Sequence, residues 1–578
     1  MLASRLFSGD PILTAVAEDR DRISRTRHAT ASAVAKVQAA LLEVFDPGCL
    51  PVFGADGQYG DETAAAVKRF KIEILGVPAG QAIDDVGPQT VQELDRLMDL
   101  HERAQDTARR IALLDGKLGV PVAGFSSSVT TSGVHAHPTG ELALAALHDA
   151  ISRCSGEGSF IAIAGWTFIP DTKLVSGVTV GDALRAAAAR GVRVRAMFTR
   201  LPLLQTPAGT FDIAKVGTND GAVAFINALP NAAAIHDSWV LHHKFSILGT
   251  QQIGVHHQKI WVVFDGERLR AFCGGMDIHP TRTAVDNPGA LAWHDVQVEV
   301  TGSAADDVYA VVRERWNNHP VKPSGIDLVP VPAGPTTRNQ RARVFTTFGN
   351  PAALGGVNGP AYPFAPTGSK AIRQFLTHAI ATAEQFIYLE DQYLIDESIG
   401  RDLAARMPAL RGLVIVMPDD NSVNGELHQA GRRRKAALAP LLPFLDKIAI
   451  VNSRQFVHAK LWIFDDTIAM VGSANANRRG YAHDSEVALA FGDLEEPGAV
   501  QTMRTALWNT HLGALATAAN AAPAASIATW KSATIAAGAN VNQYVLPSGT
   551  DPNPNPFPAS TVFTPDELWN QLIDPDCP

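Results

Sequence analysis

Two stretches far apart in the chain carry the same unusual strand. Over residues 457–464, Val457, Ala459, Leu461 and Ile463 alternate with His458, Lys460, Trp462 and Phe464. A period of two puts each set on its own face, and because both faces are apolar the strand is predicted to be buried on both sides. An imidazole and an ammonium group then share a buried face, which is costly unless an anion or a specific partner meets them. Residues 255–265, VHHQKIWVVFD, repeat the pattern and place His257, Lys259 and Trp261 on one face. A small-residue turn follows each copy, Gly274-Gly275 in one and Gly472-Ser473 in the other. One such pair is ordinary core packing with a snorkelling Lys. Two, at matching places in a repeat, point to a shared anionic ligand.

His458-x-Lys460-x4-Asp465, followed by Gly472-Ser473-Ala474-Asn475 and Ser485-Glu486, resembles the HKD signature of the phospholipase D superfamily. His257-x-Lys259, Gly274-Gly275-Met276-Asp277 and Trp293-His294-Asp295 resemble its first copy, in the style of the lipid-cleaving members. The first copy departs at one place. Phe264 stands where the motif Asp is expected, and Asp265 follows one residue later, aligned with Asp466 rather than Asp465. Either a bulge restores the carboxylate or the first copy does without it.

The resemblance implies an α/β fold with two pseudo-symmetric halves, mixed sheets flanked by helices, and one active site across a pseudo-twofold axis. It implies that His257 attacks phosphorus and that His458 protonates the departing alcohol. Lys259 and Lys460 are expected to neutralise the phosphoryl oxygens, with the Asn475 amide donating to the same atoms. Glu486 is expected to fix the imidazole tautomer in its own copy, and Asp295 to do so for His257. Trp166, Gln392, Ser473 and Gly275 are expected at the substrate, Asp265 and Asp465 in structural roles, and Asp277 as a cap that cannot donate when ionised. Water would release phosphatidic acid, and an alcohol in its place would give transphosphatidylation. No metal or cofactor is required, and the remaining histidines form no HxxxH or His/Cys cluster; His294 beside Asp295 is weak evidence for a ligand.

A net charge of −9 argues mildly against a nucleic-acid coat, whose phosphate contacts need clustered Lys and Arg. No nucleic acid is expected as partner; membrane phospholipid is. A nuclease of the same fold is the alternative, and an envelope-binding protein with degenerate catalytic halves is a third reading.

Residues 1–29 read as a loosely held polar arm. Over 30–100, Val34, Val37, Leu41 and Val44, then Val67, Phe70 and Ile74, then Val91, Leu94 and Met98 mark three helix faces. The pattern from Asp56 to Thr63, with Gly87-Pro88-Gln89-Thr90 repeating its punctuation, resembles a peptidoglycan-binding-like domain. That implies a cell-wall glycan partner; a helical spacer is the alternative. Residues 101–137 read as a linker, 138–345 and 346–515 as the two halves, and a βαβ rhythm in each implies a largely parallel sheet. The run from Arg432 to Lys435 reads as a solvated helix face, or alternatively as a patch for anionic lipid headgroups. Residues 516–578 read as a tail on the catalytic domain, with a capped helix over 564–572. The four cysteines are far apart and read as free thiols. With no signal-peptide core and no apolar run of spanning length, the protein is expected to be soluble and exported by a signal-less route, or else cytoplasmic.

Overall fold

The computed structural model describes residues 2–200, 204–206, 209–211, 219–245, 249–285, 291–336, 339–351, 360–426, 430–495 and 497–544. The chain divides into two compact units, residues 1–113 and 114–578.

The first unit is helical: Pro11–Ala17, Ser32–Val44, Asp61–Glu73 and most of Pro88–Leu118. Val34, Val37, Leu41, Val67, Phe70, Val91, Leu94 and Met98 meet in one core, as their spacing predicts. The arm is not loose. Phe7, Leu13, Val16 and Ile23 are fully buried in that core. Asp10 caps the short helix by accepting the Ile12 and Leu13 N–H groups, and Ser4 donates to Asp95 at 2.7 Å. The helix is too short for its periodicity to stand out among the surrounding charges.

The second unit is built on a mixed sheet flanked by helices. Its strands are β1 (Thr130–His137), β2 (Phe160–Gly165), β3 (Arg193–Thr199), β4 (Ala232–Asp237), β5 (Ile260–Phe264), β6 (Leu269–Gly274), β7 (Gln297–Gly302), β8 (Gln340–Phe348), β9 (Phe386–Asp391), β10 (Gly412–Met417), β11 (Ile448–Ser453), β12 (Lys460–Phe464), β13 (Ile468–Gly472), β14 (Glu486–Asp493) and β15 (Val541–Gln543). Their order is β15-β11-β10-β9-β12-β13-β14-β8-β1-β7-β6-β5-β2-β3-β4, so apart from β15 each half is the other's mirror in sequence of pairing. β8 and β1 join the halves antiparallel, through Thr130–Ala342 and Ser132–Gln340. The sheet is therefore continuous, not one sheet per half. It is parallel only at β2-β3-β4 and β9-β10-β11, where helical crossovers supply the return. The hairpins that carry the repeated motif make the remainder antiparallel, which the βαβ reading did not foresee.

β1 lies inside the stretch read as a linker, and β8 straddles the expected boundary at 345. A strand rich in Ser, Thr, Gly and His has little apolar alternation to reveal it. Helices Ser303–Asn318 and Ala499–Leu512 pack into one core with strands of both halves. Separate apolar layers cover the other face of each half. Of the C-terminal stretch, residues 516–544 add two short helices and β15, with Trp530 fully buried. The helix expected over 564–572 lies outside the described residues. Among the described residues no helix is long and apolar enough to cross a membrane.

Candidate active site

Both repeated strands are buried on both faces: Leu461 and Ile463 enter the shared core, and Trp462 and Phe464 the outer layer. The regular strands start at Ile260 and Lys460, slightly later than alternation predicts. The residues just before them are committed elsewhere. His257 N–H donates to Ser485 O at 3.0 Å, and His458 N–H donates to His294 O at 2.7 Å. Short parallel bridges, His256 with Ser485 and His294 with Val457, hold each motif against the opposite half.

This crossing extends to the side chains and corrects the expected pairing. Nδ1–H of His257 donates to Glu486 Oε1 at 2.9 Å, and Nδ1–H of His458 donates to Asp295 Oδ2 at 2.8 Å. Each carboxylate thus orients the imidazole of the other half. The expected assignment kept each partner within its own copy, where the backbone bridges do not lead. With Nδ1 so engaged, Nε2 of each ring is the nitrogen left for chemistry.

The ammonium groups stand beside the imidazoles. Lys259 Nζ donates to His257 O at 2.9 Å and lies 3.8 Å from Asp277 Oδ1. Lys460 Nζ donates to His458 O and, at 3.2 Å, to Gln392 Oε1. Burial, then the lysine charges, hold His257 well below the usual imidazole range. Burial, then Arg282 and Lys460, do the same to His458, and the His257 charge is among the further causes. Burial lowers Lys259, and pushes Lys460 down to about 7. Burial also raises Glu486 to about 7, against the pull of Lys259. Such a centre favours arrival of an anion, which offsets the cations and restores their charged forms.

The other expected residues are distributed unevenly. Trp166 stands edge-on to His257, ring centroids 5.2 Å apart, with Lys259 Nζ 5.9 Å from its centre. Gln392 reaches Lys460. The side-chain amide oxygen of Asn475, Oδ1, is buried without a partner among the described residues. Ser473 is not placed for substrate: fully buried, it donates to Glu486 Oε2 and so helps orient that carboxylate. Gly275 likewise serves packing, because a Cβ there would come within 2.2 Å of Asp295 Oδ1 and 2.9 Å of His458 O. Asp277 is no mere cap. Burial opposes its ionisation, yet Lys259 and Arg282 hold it below the usual carboxylate range within the site.

The departure at Phe264 is resolved by the hairpins. Strand pairing closes at Phe264–Leu269 in one half and at Phe464–Ile468 in the other, so the first loop is one residue longer. Asp465, with φ +56°, accepts the N–H groups of Glu384, Gln385 and Phe386 at 2.7, 2.7 and 2.9 Å, tying its hairpin to β9. Asp265 accepts from Glu267 and Arg268 within its own loop. No bulge restores the long-range contact, and the first copy does without it.

Three features escaped the sequence reading. Arg282, just past the Gly-Gly-Met-Asp turn, puts Nη2 3.4 Å from His458 Nε2. His294, Glu390 and His511 form a buried cluster with ligand-type atoms within 4.8 Å of one another, contrary to the expectation of no such group. Glu390 takes hydrogen bonds from both imidazoles, at 2.5 and 3.0 Å, and from the Tyr388 hydroxyl. Finally, the basic run is not wholly a solvated face. Arg434 is fully buried and donates to the carbonyls of Tyr393, Pro418 and Gln392. In each case the partners are distant in sequence, and no local spacing signals them.

Residues 376–508 match the family described as cardiolipin synthase, PLD-like domain. Among curated proteins, phospholipase D alpha 4 of Arabidopsis thaliana is 22% identical over 493 residues, covering 62% of this chain and 62% of that protein. Phospholipase D alpha 1 of Nicotiana tabacum is 25% identical over 416 residues, covering 47% and 51%. The chain thus spans only 62% and 51% of the length of these two relatives. Among solved structures, phosphatidylserine synthase of Haemophilus influenzae aligns over 66% of this chain and 87% of its own, at 10% identity and a TM-score of 0.46. Residues 376–508 of the second unit are thus similar to a PLD-like domain.

Proposed function

We propose that the second unit is a phosphodiesterase of the phospholipase D type, cleaving the distal phosphodiester of glycerophospholipids to phosphatidic acid and free headgroup. The crossed pairing of His257 with Glu486 and His458 with Asp295, beside two buried lysines, carries this reading. The names of the curated relatives favour phospholipid over nucleic acid as substrate.

In this mechanism the phosphodiester sits between the two Nε2 atoms, its non-bridging oxygens against Lys259 and Lys460. Its negative charge raises the imidazole pKa values, so His458 carries a proton when substrate is bound. The Nε2 lone pair of His257 forms a P–N bond while the bond from phosphorus to the headgroup oxygen breaks. The His458 Nε2 proton goes to that oxygen. Water then gives a proton to His458 and its oxygen to phosphorus, which frees His257 and phosphatidic acid. A primary alcohol entering in place of water gives phosphatidyl transfer. The order of the two histidines follows the family resemblance.

The test is headgroup and phosphatidic acid release from vesicles of defined phospholipids by the full chain, with ethanol added in a parallel arm. Release is expected from wild type, with a loss of roughly 1,000-fold or more in His458→Ala. Absence of release from every phospholipid by folded wild-type protein would sink the reading.

A further inference from the structure

Arg282 is buried in the site, and its hydrogen bonding is incomplete. Nη1 donates to Thr281 Oγ1 at 2.7 Å. Nη2 divides itself between Asp277 Oδ2, at 3.2 Å, and His458 Nε2, at 3.4 Å, both long for a guanidinium. Nε lies 3.5 Å from Asp295 Oδ2, off the hydrogen-bonding line, and is buried with no partner among the described residues. The guanidinium carbon lies over Trp293, 4.3 Å from the ring centre, a cation–π contact that holds the side chain in the site.

Two fully buried arginines elsewhere in this unit, Arg315 and Arg434, donate from every guanidinium nitrogen, whereas Arg504 leaves Nη2 without a partner among the described residues. Arg315 donates to Asp237 from Nε and Nη2, at 2.5 and 2.9 Å, to Ser485 Oγ and to Trp239 O. Arg434 donates from all three nitrogens to backbone carbonyls at 2.8–2.9 Å. A buried donor left unmade is costly, and what sets Arg282 apart is that its weakly used donors lie beside the reactive nitrogen of His458. Arg282 also has no twin. Counted from the paired turns, Gly480 occupies its place in the second half, where a Cβ would come within 2.6 Å of Asn475 O.

We propose that Arg282 is a third cation of the phosphoryl site, supplied by the first half alone, which contacts a phosphodiester oxygen on the His458 side. The inference rests on the phosphodiesterase reading. In the unliganded protein the same guanidinium donates to Nε2 of His458, keeping it a bare acceptor; burial and then this charge depress its basicity. When the anion arrives, Nη2 and Nε turn from weak protein contacts to the phosphoryl oxygen, and His458 is released to take a proton. The two halves then differ at matching positions, Asp277 and Arg282 in the first standing against Asn475 and Gly480 in the second.

The test uses the full chain with Arg282→Gln and Arg282→Lys. Turnover of phosphatidylcholine vesicles is followed against pH, and binding of a dialkyl phosphate is followed by calorimetry. Arg282→Gln should lower kcat/KM and dialkyl phosphate affinity together, each roughly 10- to 100-fold, with Arg282→Lys intermediate. The limb of the pH profile set by His458 should move to higher pH in Arg282→Gln. Wild-type affinity and an unshifted profile in Arg282→Gln would overturn the proposal. So would a loss of activity that only tracks a lowered melting temperature and is the same in both variants. If wild type cleaves no phospholipid yet its dialkyl phosphate affinity depends on Arg282, the lipid reading falls and the anion contact stands.

Discussion

Lys460 Nζ is pushed down by burial from an ordinary 10.5 to about 7. Below that pH the empty site holds an ammonium group; above it, a neutral amine. An anion favours the charged form, so binding above this pKa must draw in a proton. Binding of dialkyl phosphate, whose single charge is fixed, is expected to take up more protons at about pH 8, where Lys460 adds to His458, than at about pH 5. Calorimetry in two buffers of different ionisation enthalpy measures this, and equal uptake at both pH values would contradict it. Glu486 moves the opposite way, raised from 4.5 to about 7. At this one group the folded protein binds more protons than the unfolded chain between those values, and its contribution to stability is lost as pH rises through about 7. In Glu486→Gln that loss is absent, so the melting temperature of the variant relative to wild type should climb over the same window. A constant difference would refute the shift. The histidines and lysines were legible because they sit within one strand period of each other. Which carboxylate serves which imidazole was not, because it depends on bridges between segments that the chain brings together only on folding.

At the level of elements, the two hairpins differ by a single loop residue. Asp465 ties three backbone N–H groups at the head of β9, whereas Asp265 serves only its own turn. Asp465→Ala should cost about 1–3 kcal/mol and Asp265→Ala about 1 kcal/mol or less, read by denaturant unfolding. Equal costs would mean that the long-range tie contributes nothing. The repeat itself could be read from sequence, since strand alternation is local. The linker and arm could not: β1 is polar and small-residued, and Pro11–Ala17 is too short to show a period. Arg315 and His511 show what remains hidden. They occupy the same position along equivalent helices, Ser303–Asn318 and Ala499–Leu512, and both reach inward to buried carboxylates, Asp237 and Glu390. The residue types differ, so the equivalence appears only in space.

For the whole molecule, the hydrophobic core of the first unit is drawn, among the described residues, from residues 2–98, and the apolar layers of the second begin at Leu114. Phe70→Ala should therefore cost the first unit about 3–5 kcal/mol while leaving phospholipid turnover by the full chain unchanged. A matching fall in kcat/KM would show that the two units are coupled. The peptidoglycan-binding-like resemblance of the first unit remains a proposal about its partner, tested by sedimentation with isolated cell wall. Within the second unit, pairing β8 with β1 and crossing the carboxylates makes each half custodian of its sibling's imidazole. Neither half is then free to drift alone: a change at Asp295 is felt at His458, and one at Glu486 is felt at His257. Cutting the gene between the halves would yield two products, each carrying a histidine whose keeper had gone with the other.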